Sequence, residues 1–313
     1  MNTPPTAAAA TADRQKALVL VSHGATARVR LAAGTEVLAR AAGRDLQFVC
    51  GDEVMCATGS PQTQWQLQQV LPRRSALYRT NIRGRAELVA ANLTLLVVVI
   101  APLPEPDLFL ADRYLAAASC AGIGSLLLVN KAEAALPASL SAEIAGFEAA
   151  GTLSLICSAL SGLGLDAVRA RLRDETVMLV GQSGVGKSSL LRELIPGSDP
   201  AVGALLKTDE GRHTTSAAHL HSLPGGGALI DSPGVRDFAP AVDALAGTTL
   251  GFNEVAQHAP HCRFADCRHS KEPQCAVLAA VASGAISARR YESFRRLRRL
   301  RDQLVERVPY PRR

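Results

Sequence analysis

The stretch Gly181-Gln182-Ser183-Gly184-Val185-Gly186-Lys187-Ser188-Ser189 constrains the fold more than any other part of this 313-residue sequence. The apolar run 176–180 reads as a strand before it, and the chain continues as a helix from Ser189 to Leu194. A glycine loop between a strand and a helix turns successive backbone N–H groups inward, and the helix N-terminus adds a positive field there. Such a cradle holds the phosphates of a nucleoside triphosphate, with Lys187 reaching the β- and γ-phosphates and the Ser188 hydroxyl ligating Mg²⁺. The expected architecture is α/β.

The elements upstream are of the same kind. The run 93–101 is apolar and β-branched, as in a strand buried on both faces of a parallel sheet. A helix is predicted over 107–121, with Leu108, Ala111, Leu115 and Ala118 on one face. The next strand, 125–129, ends at Asn130-Lys131-Ala132-Glu133, which resembles the Asn-Lys-x-Asp guanine-recognition motif of GTPases. A carboxylate suits guanine because one edge of that base offers two donors, whereas adenine presents an acceptor and leaves the carboxylate unpaired. Glu133 keeps the charge and adds a methylene. Ser158-Ala159, after a further strand and Cys157, resembles the second base loop, in which a backbone N–H meets guanine O6.

In an ordinary GTPase the phosphate loop comes first and the base loops last; here the base loops precede Gly181. Two elements follow it: Gly211-Arg212-His213-Thr214-Thr215-Ser216 as a first switch, and Asp231-Ser232-Pro233-Gly234 as the second, after the strand 228–230. A circular permutation yields the same fold, because the usual termini can be joined without altering the sheet.

Outside this region the pattern changes. Residues 17–21, 27–31, 36–39, 52–57 and 65–71 read as five short strands, suiting a small Greek-key barrel of the OB type. Phe48 and Trp65 are either stacking platforms for RNA bases or core residues, and Arg28, Arg30, Arg40 and Arg44 either contact phosphates or are solvated. A basic linker is expected over 72–85. The segment 1–13 reads as a disordered tail, unlike a signal or transit peptide, and the longest apolar run, 93–103, is too short to span a bilayer. A cytoplasmic protein without a membrane partner is expected, its seven cysteines thiols or metal ligands. The net charge of +6 fits a polyanionic partner or a merely basic protein.

Near the C-terminus, Cys262-x4-Cys267-x-His269-x5-Cys275 offers three thiolates and an imidazole within fourteen residues. This set meets the tetrahedral preference of one structural Zn²⁺ and leaves no open coordination position, which speaks against a zinc hydrolase. His261 is a neighbouring alternative ligand or a solvated histidine, and Cys50, Cys56, Cys120 and Cys157 are expected as buried thiols. Helices are predicted over 276–282 and 288–308. The second carries eight arginines, Arg289, Arg290, Arg295, Arg296, Arg298, Arg299, Arg301 and Arg307, read as a phosphate-backbone contact in preference to a solvated face.

The permuted order, Gly211-Arg212-His213-Thr214-Thr215, Leu103-Pro104-Glu105-Pro106, Asp112-Arg113-Tyr114-Leu115 and the cysteine cluster together resemble the ribosome-small-subunit-dependent GTPase A family. The resemblance implies a circularly permuted P-loop GTPase domain with an N-terminal OB-type β-barrel and a C-terminal zinc-binding helical domain. The expected divisions are a tail at 1–15, an RNA-binding barrel at 16–75, a GTPase domain at 76–250 and a zinc domain at 251–313. It also implies GTP and GDP as ligands, the 30S subunit and 16S rRNA as partners, and His213 as the group acting on water, in place of the glutamine that Val235 replaces. Thr215, or else Thr214, would join Ser188 on Mg²⁺, with Asp231 holding the ion through water and the Gly234 N–H sensing the γ-phosphate. A monomer is expected. A P-loop ATPase and a nucleotide-gated RNA-binding protein with little catalysis are the alternative readings.

Overall fold

The computed structural model describes residues 13–58, 64–81, 84–197, 218–232 and 239–307. Five strands form the N-terminal barrel: β1 (Asp13–His23), β2 (Thr26–Leu31), β3 (Glu36–Ala41), β4 (Glu53–Thr58) and β5 (Trp65–Val70). β1 pairs antiparallel with both β2 and β4, β2 with β3, and β4 with β5, while β3 and β5 run parallel and complete the ring. Alternation puts Ala27, Val29 and Leu31 of β2 inside with Val19, Val54, Cys56 and Leu67. Phe48 belongs to this core, and the half-buried Trp65 packs against it. β1 starts within the expected tail, whose residues 1–12 lie outside those described.

The expected linker at 72–85 is instead structured. β6 (Ala76–Thr80) and β7 (Ala86–Ala91) form an antiparallel hairpin, with Leu77, Val89 and Ala90 in the main core and Arg79 paired to Glu87 across the strands at 3.2 Å. The basic residues that suggested a linker thus accompany a strand pair whose apolar side chains enter the main core.

The α/β region follows. In chain order it comprises β8 (Leu95–Ile100), α1 (Leu108–Cys120), β9 (Gly124–Val129), α2 (Ala138–Ala149), β10 (Leu153–Ile156) and α3 (Leu165–Leu172). It continues with β11 (Thr176–Val180), α4 (Lys187–Leu194), β12 (His219–Ser222) and β13 (Ala228–Asp231). The strand order is β10-β9-β8-β11-β13-β12, parallel except for β12. Upstream strands flank β11 on one side and downstream strands on the other, as the permuted reading requires. The order in which strands are added reverses between the parallel neighbours β8 and β11, and ligands of open α/β sheets bind in that crevice, at the carboxyl ends of the strands. All six residues of β8 are buried, consistent with helices covering both faces.

The C-terminal region contributes α5 (Asn253–His258), α6 (Ala276–Ala282) and α7 (Ala288–Arg307), which pack on α1 through Phe252, Tyr291, Phe294 and Leu297. Among the described residues no helix is long and apolar enough to cross a membrane.

Candidate nucleotide site and metal centre

The phosphate loop begins where β11 ends and finishes at α4. Gly181 and Gly186 have φ of 142° and 94°. A Cβ on Gly181 would lie 2.2 Å from the Val99 carbonyl oxygen, and one on Gly186 would lie 2.3 Å from Asn130 Nδ2. Both positions therefore demand glycine for two reasons, a left-handed backbone and contact with β8 or its neighbour. Gln182, Ser183, Gly184 and Val185 span the loop between them, and Ser188 and Ser189 continue α4.

Asn130 joins the two halves of the site. Its Nδ2 donates to the Val185 carbonyl at 2.9 Å, and its Oδ1 accepts the Ala159 N–H at 3.0 Å, with the side chain only 2% exposed. One amide thus fastens the phosphate loop to the Ser158-Ala159 loop, although fifty-five residues separate Asn130 from Val185. Asn130 thereby engages a backbone N–H of the Ser158-Ala159 loop, the stretch expected to offer one to guanine O6. Lys131, at φ 63°, donates from Nζ to the Leu103 carbonyl at 2.8 Å. Ser158 Oγ donates to Glu133 Oε2 and accepts the Ser161 N–H at 3.0 Å. The hydroxyl holds the Glu133 carboxyl below the usual carboxylate range, so it is ionised where a base would present its donors.

Lys187 is 8% exposed and donates to the carbonyls of Gly181 at 2.6 Å and Gln182 at 2.8 Å. Lys187, Ser188, Asp231 and Ser232 line one small cavity between α4 and the end of β13, which brings the loop cation, the hydroxyl and the carboxylate to one place. His213, Thr214, Thr215, Gly234 and Val235 lie outside the described residues.

The metal cluster is also assembled. The ligand atoms of Cys262, Cys267, His269 and Cys275 all lie within 4.8 Å of one another. Cys262 Sγ and Cys275 Sγ are 3.8 Å apart, and each is 3.5 Å from His269 Nδ1. A tetrahedral ion with bonds of about 2.3 Å to sulfur and about 2.0–2.1 Å to nitrogen spaces its ligands by about 3.8 and 3.5 Å. Cys262, Cys275 and His269 Nδ1 match that spacing, and Cys267 Sγ lies within 4.8 Å of each of them. The Tyr291 hydroxyl donates to the His269 carbonyl at 2.6 Å and docks the cluster on α7. Among the other cysteines, Cys50, Cys56 and Cys157 are buried and Cys120 is half-buried.

The arginines of α7 divide unevenly. Arg290, 5% exposed, donates to Asp112 Oδ1 at 2.7 Å and to both oxygens of Glu254 at 2.5 and 3.0 Å. Arg289 donates to Asp112 Oδ2 at 2.6 Å and Glu143 at 2.5 Å. Arg296 lies over the Phe109 ring at 3.9 Å, Arg298 and Arg301 donate to the Arg268 and Gly247 carbonyls, and Arg295 and Arg299 pair with Glu292. Arg289, Arg290, Arg296, Arg298 and Arg301 thus fasten α7 to other elements, whereas Arg295 and Arg299 pair with Glu292 of α7 itself and are exposed; the Arg307 side chain lies outside the described residues. The acids that balance Arg289 and Arg290 lie far away in sequence, on α1, α2 and α5. The Asp112-Arg113-Tyr114-Leu115 stretch carried the signal without showing its partner.

A sequence model of the RsgA GTPase family matches residues 70–240. The chain is 46% identical over 254 residues to the small ribosomal subunit biogenesis GTPase RsgA of Azotobacter vinelandii, covering 80% of this chain and 74% of that protein. It is 43% identical to the protein of that name from Pseudomonas aeruginosa, covering 80% and 75%. Its fold is similar to the crystal structure of YjeQ from Thermotoga maritima, with a TM-score of 0.71 at 24% identity over 94% of this chain and 99% of that one. It is also similar to YloQ, described as a circularly permuted GTPase, with a TM-score of 0.70 at 21% identity over 95% and 97%. With a phosphate loop, two base loops joined to it by Asn130, and relatives that match most of its length, the chain belongs to the RsgA GTPase family.

Proposed function

We propose that this GTPase hydrolyses GTP to GDP and phosphate on the small (30S) ribosomal subunit during late maturation, with contacts to 16S rRNA. The observation that carries the nucleotide half is Asn130, whose amide ties the phosphate loop to the Ser158-Ala159 loop across the permutation and so supports a guanine pocket there. The ribosomal half rests on the relatives, named as small ribosomal subunit biogenesis GTPases.

Within this reading, the amides of 181–189 and Lys187 hold the phosphates, while Asn130, Lys131, Glu133, Ser158 and Ala159 select guanine. Ser188 and Thr215 would hold Mg²⁺, with Asp231 behind them and the Gly234 N–H at the γ-phosphate. Bound there, Mg²⁺ neutralises charge on the β- and γ-phosphate oxygens. His213 orients the attacking water, since Val235 has no polar group to do so. Cys262, Cys267, His269 and Cys275 would hold one structural Zn²⁺, which three sulfurs and one imidazole favour over harder cations. The working parts are the barrel at 16–75, the GTPase domain at 76–250 and the metal-binding module at 251–313, acting as a cytoplasmic monomer. Because the second switch leads directly into the last module, γ-phosphate loss would be coupled to release from the 30S particle.

GTP turnover measured alone and with 30S, 50S or 70S particles tests this; the expected result is stimulation by 30S subunits, and equal rates in all four would overturn it. His213→Ala should leave GTP affinity within about twofold and reduce stimulated turnover by about 10²–10⁴-fold. Unchanged stimulated turnover would reject His213.

A further inference from the structure

In a phosphate loop the residue after the first glycine contributes backbone, and phosphate binding leaves its side chain without a task. In this protein Gln182 Oε1 accepts the backbone N–H of Asp107 at 2.8 Å. Asp107 is the N-cap of α1, its own Oδ1 accepting the Leu110 N–H at 2.9 Å. The cap's side chain closes the helix, and its backbone N–H is given to the phosphate loop.

The segment leading to that cap, 102–107, is held a second time by Lys131, which donates to the Leu103 carbonyl at 2.8 Å. Between the two fastenings Pro104 abuts Gly184, where a Cβ would come within 3.3 Å of the proline ring. The segment therefore bridges the base loop and the phosphate loop. Asp112 lies five residues into α1 from its cap, about 7.5 Å along the axis at 1.5 Å per residue. There it accepts from Arg289 and Arg290, which anchor α7 and with it the metal cluster. A helix moves as a unit over so short a distance, so α1 has the nucleotide loop at one end and the C-terminal module one turn and a half further on.

We infer that Gln182 is a positioning residue that registers α1 against the phosphate loop, and that nucleotide affinity is thereby linked to the seating of the C-terminal module on α1. The inference rests on the guanine-nucleotide reading above. The linkage is reciprocal: whatever loosens α7 from Asp112 weakens nucleotide binding, and bound nucleotide tightens α7.

The test uses the full chain with fluorescent GDP, steady-state GTP turnover and amide exchange. Gln182→Leu should raise the nucleotide Kd and the KM roughly threefold to tenfold, the loss of one hydrogen bond, with kcat within about twofold. It should also speed exchange of the Asp107 amide in the nucleotide-free protein, and Gln182→Glu, which supplies an equivalent acceptor, should restore that protection. Arg289→Ala leaves the Arg290–Asp112 pair intact and is the mild perturbation of the module. Combined with Gln182→Leu, it should add less than its own effect on Kd, because the link is already cut. If the two effects multiply within about twofold, as for independent sites, the linkage is overturned. An Asp107 amide that exchanges equally in wild type and Gln182→Leu overturns the positioning role. A wild-type chain that binds no guanine nucleotide overturns the functional reading and the linkage, while the exchange comparison still decides whether Gln182 holds α1.

Discussion

At the scale of single residues the site depends on groups used twice. Asn130 spends one end of its amide on the Val185 carbonyl and the other on the Ala159 N–H, so it is a structural tie before any base arrives. Asn130→Ala should lower the stability of the nucleotide-free protein by about 2–4 kcal/mol, since two backbone groups lose their partner. Denaturant unfolding without ligand measures this, and a loss below about 1 kcal/mol would confine Asn130 to base recognition. Ser158 is used twice as well, holding Glu133 while accepting the Ser161 N–H. The longer carboxylate is thereby fixed by a neighbour rather than left to swing.

At the scale of elements, two contacts decide how the pieces meet. α7 meets α1 through two arginines, Arg290 buried and Arg289 half-buried, on one buried aspartate. Arg290→Met strands buried Glu254 without its cation, leaves Asp112 with Arg289 alone, and should cost about 3–5 kcal/mol. Arg299→Ala removes an exposed pair with Glu292 and should cost no more than about 1 kcal/mol. Thermal or denaturant unfolding of both variants checks the contrast. The second contact is β12, bridged to β1 at Val21 and His219, which joins the barrel to the parallel sheet. Burial lowers the His219 and His221 imidazoles below their ordinary value of 6.5, the two rings and Arg28 adding repulsion at His219, with Asp231 opposing. In that window the unfolded state binds more protons than the folded one, so stability is retained above 6.5 and declines as pH falls below it. Replacing both histidines with Gln should flatten the pH dependence of the unfolding free energy over about pH 5 to 7. An unchanged slope would show that other groups set it.

At the scale of the whole molecule, three parts are attached to the α/β core. The barrel reaches the sheet through β12, the hairpin β6–β7 packs its apolar face into the main core, and the C-terminal helices close over α1. The metal cluster lies at the far end of this chain of contacts, docked through Tyr291 and the aromatic ring of Phe294. Chelation should therefore loosen α7 as well as the cluster. After treatment with a strong chelator, three additional thiols, Cys262, Cys267 and Cys275, should react with a thiol reagent under native conditions. The same number of reactive thiols before and after would show that no ion protects them.

The sequence by itself determined the phosphate loop, the loops at Asn130 and Ser158-Ala159, their permuted order, the spacing of the cysteine-histidine cluster and the five barrel strands, because each is written in contiguous residues with a fixed local geometry. The hairpin that begins within 72–85 was not legible there, since its interspersed basic residues mask an apolar face that exists only once the core is present. Nor was the task of the α7 arginines, because Asp112, Glu143 and Glu254 meet them only after α1, α2 and α5 have packed. Only the tertiary structure decided that Asn130 binds the phosphate loop, that Gln182 holds α1, and that Phe48 is core. A charge or an amide is defined by what it touches, and residues far apart in sequence are brought into contact only by the packing of the elements that carry them.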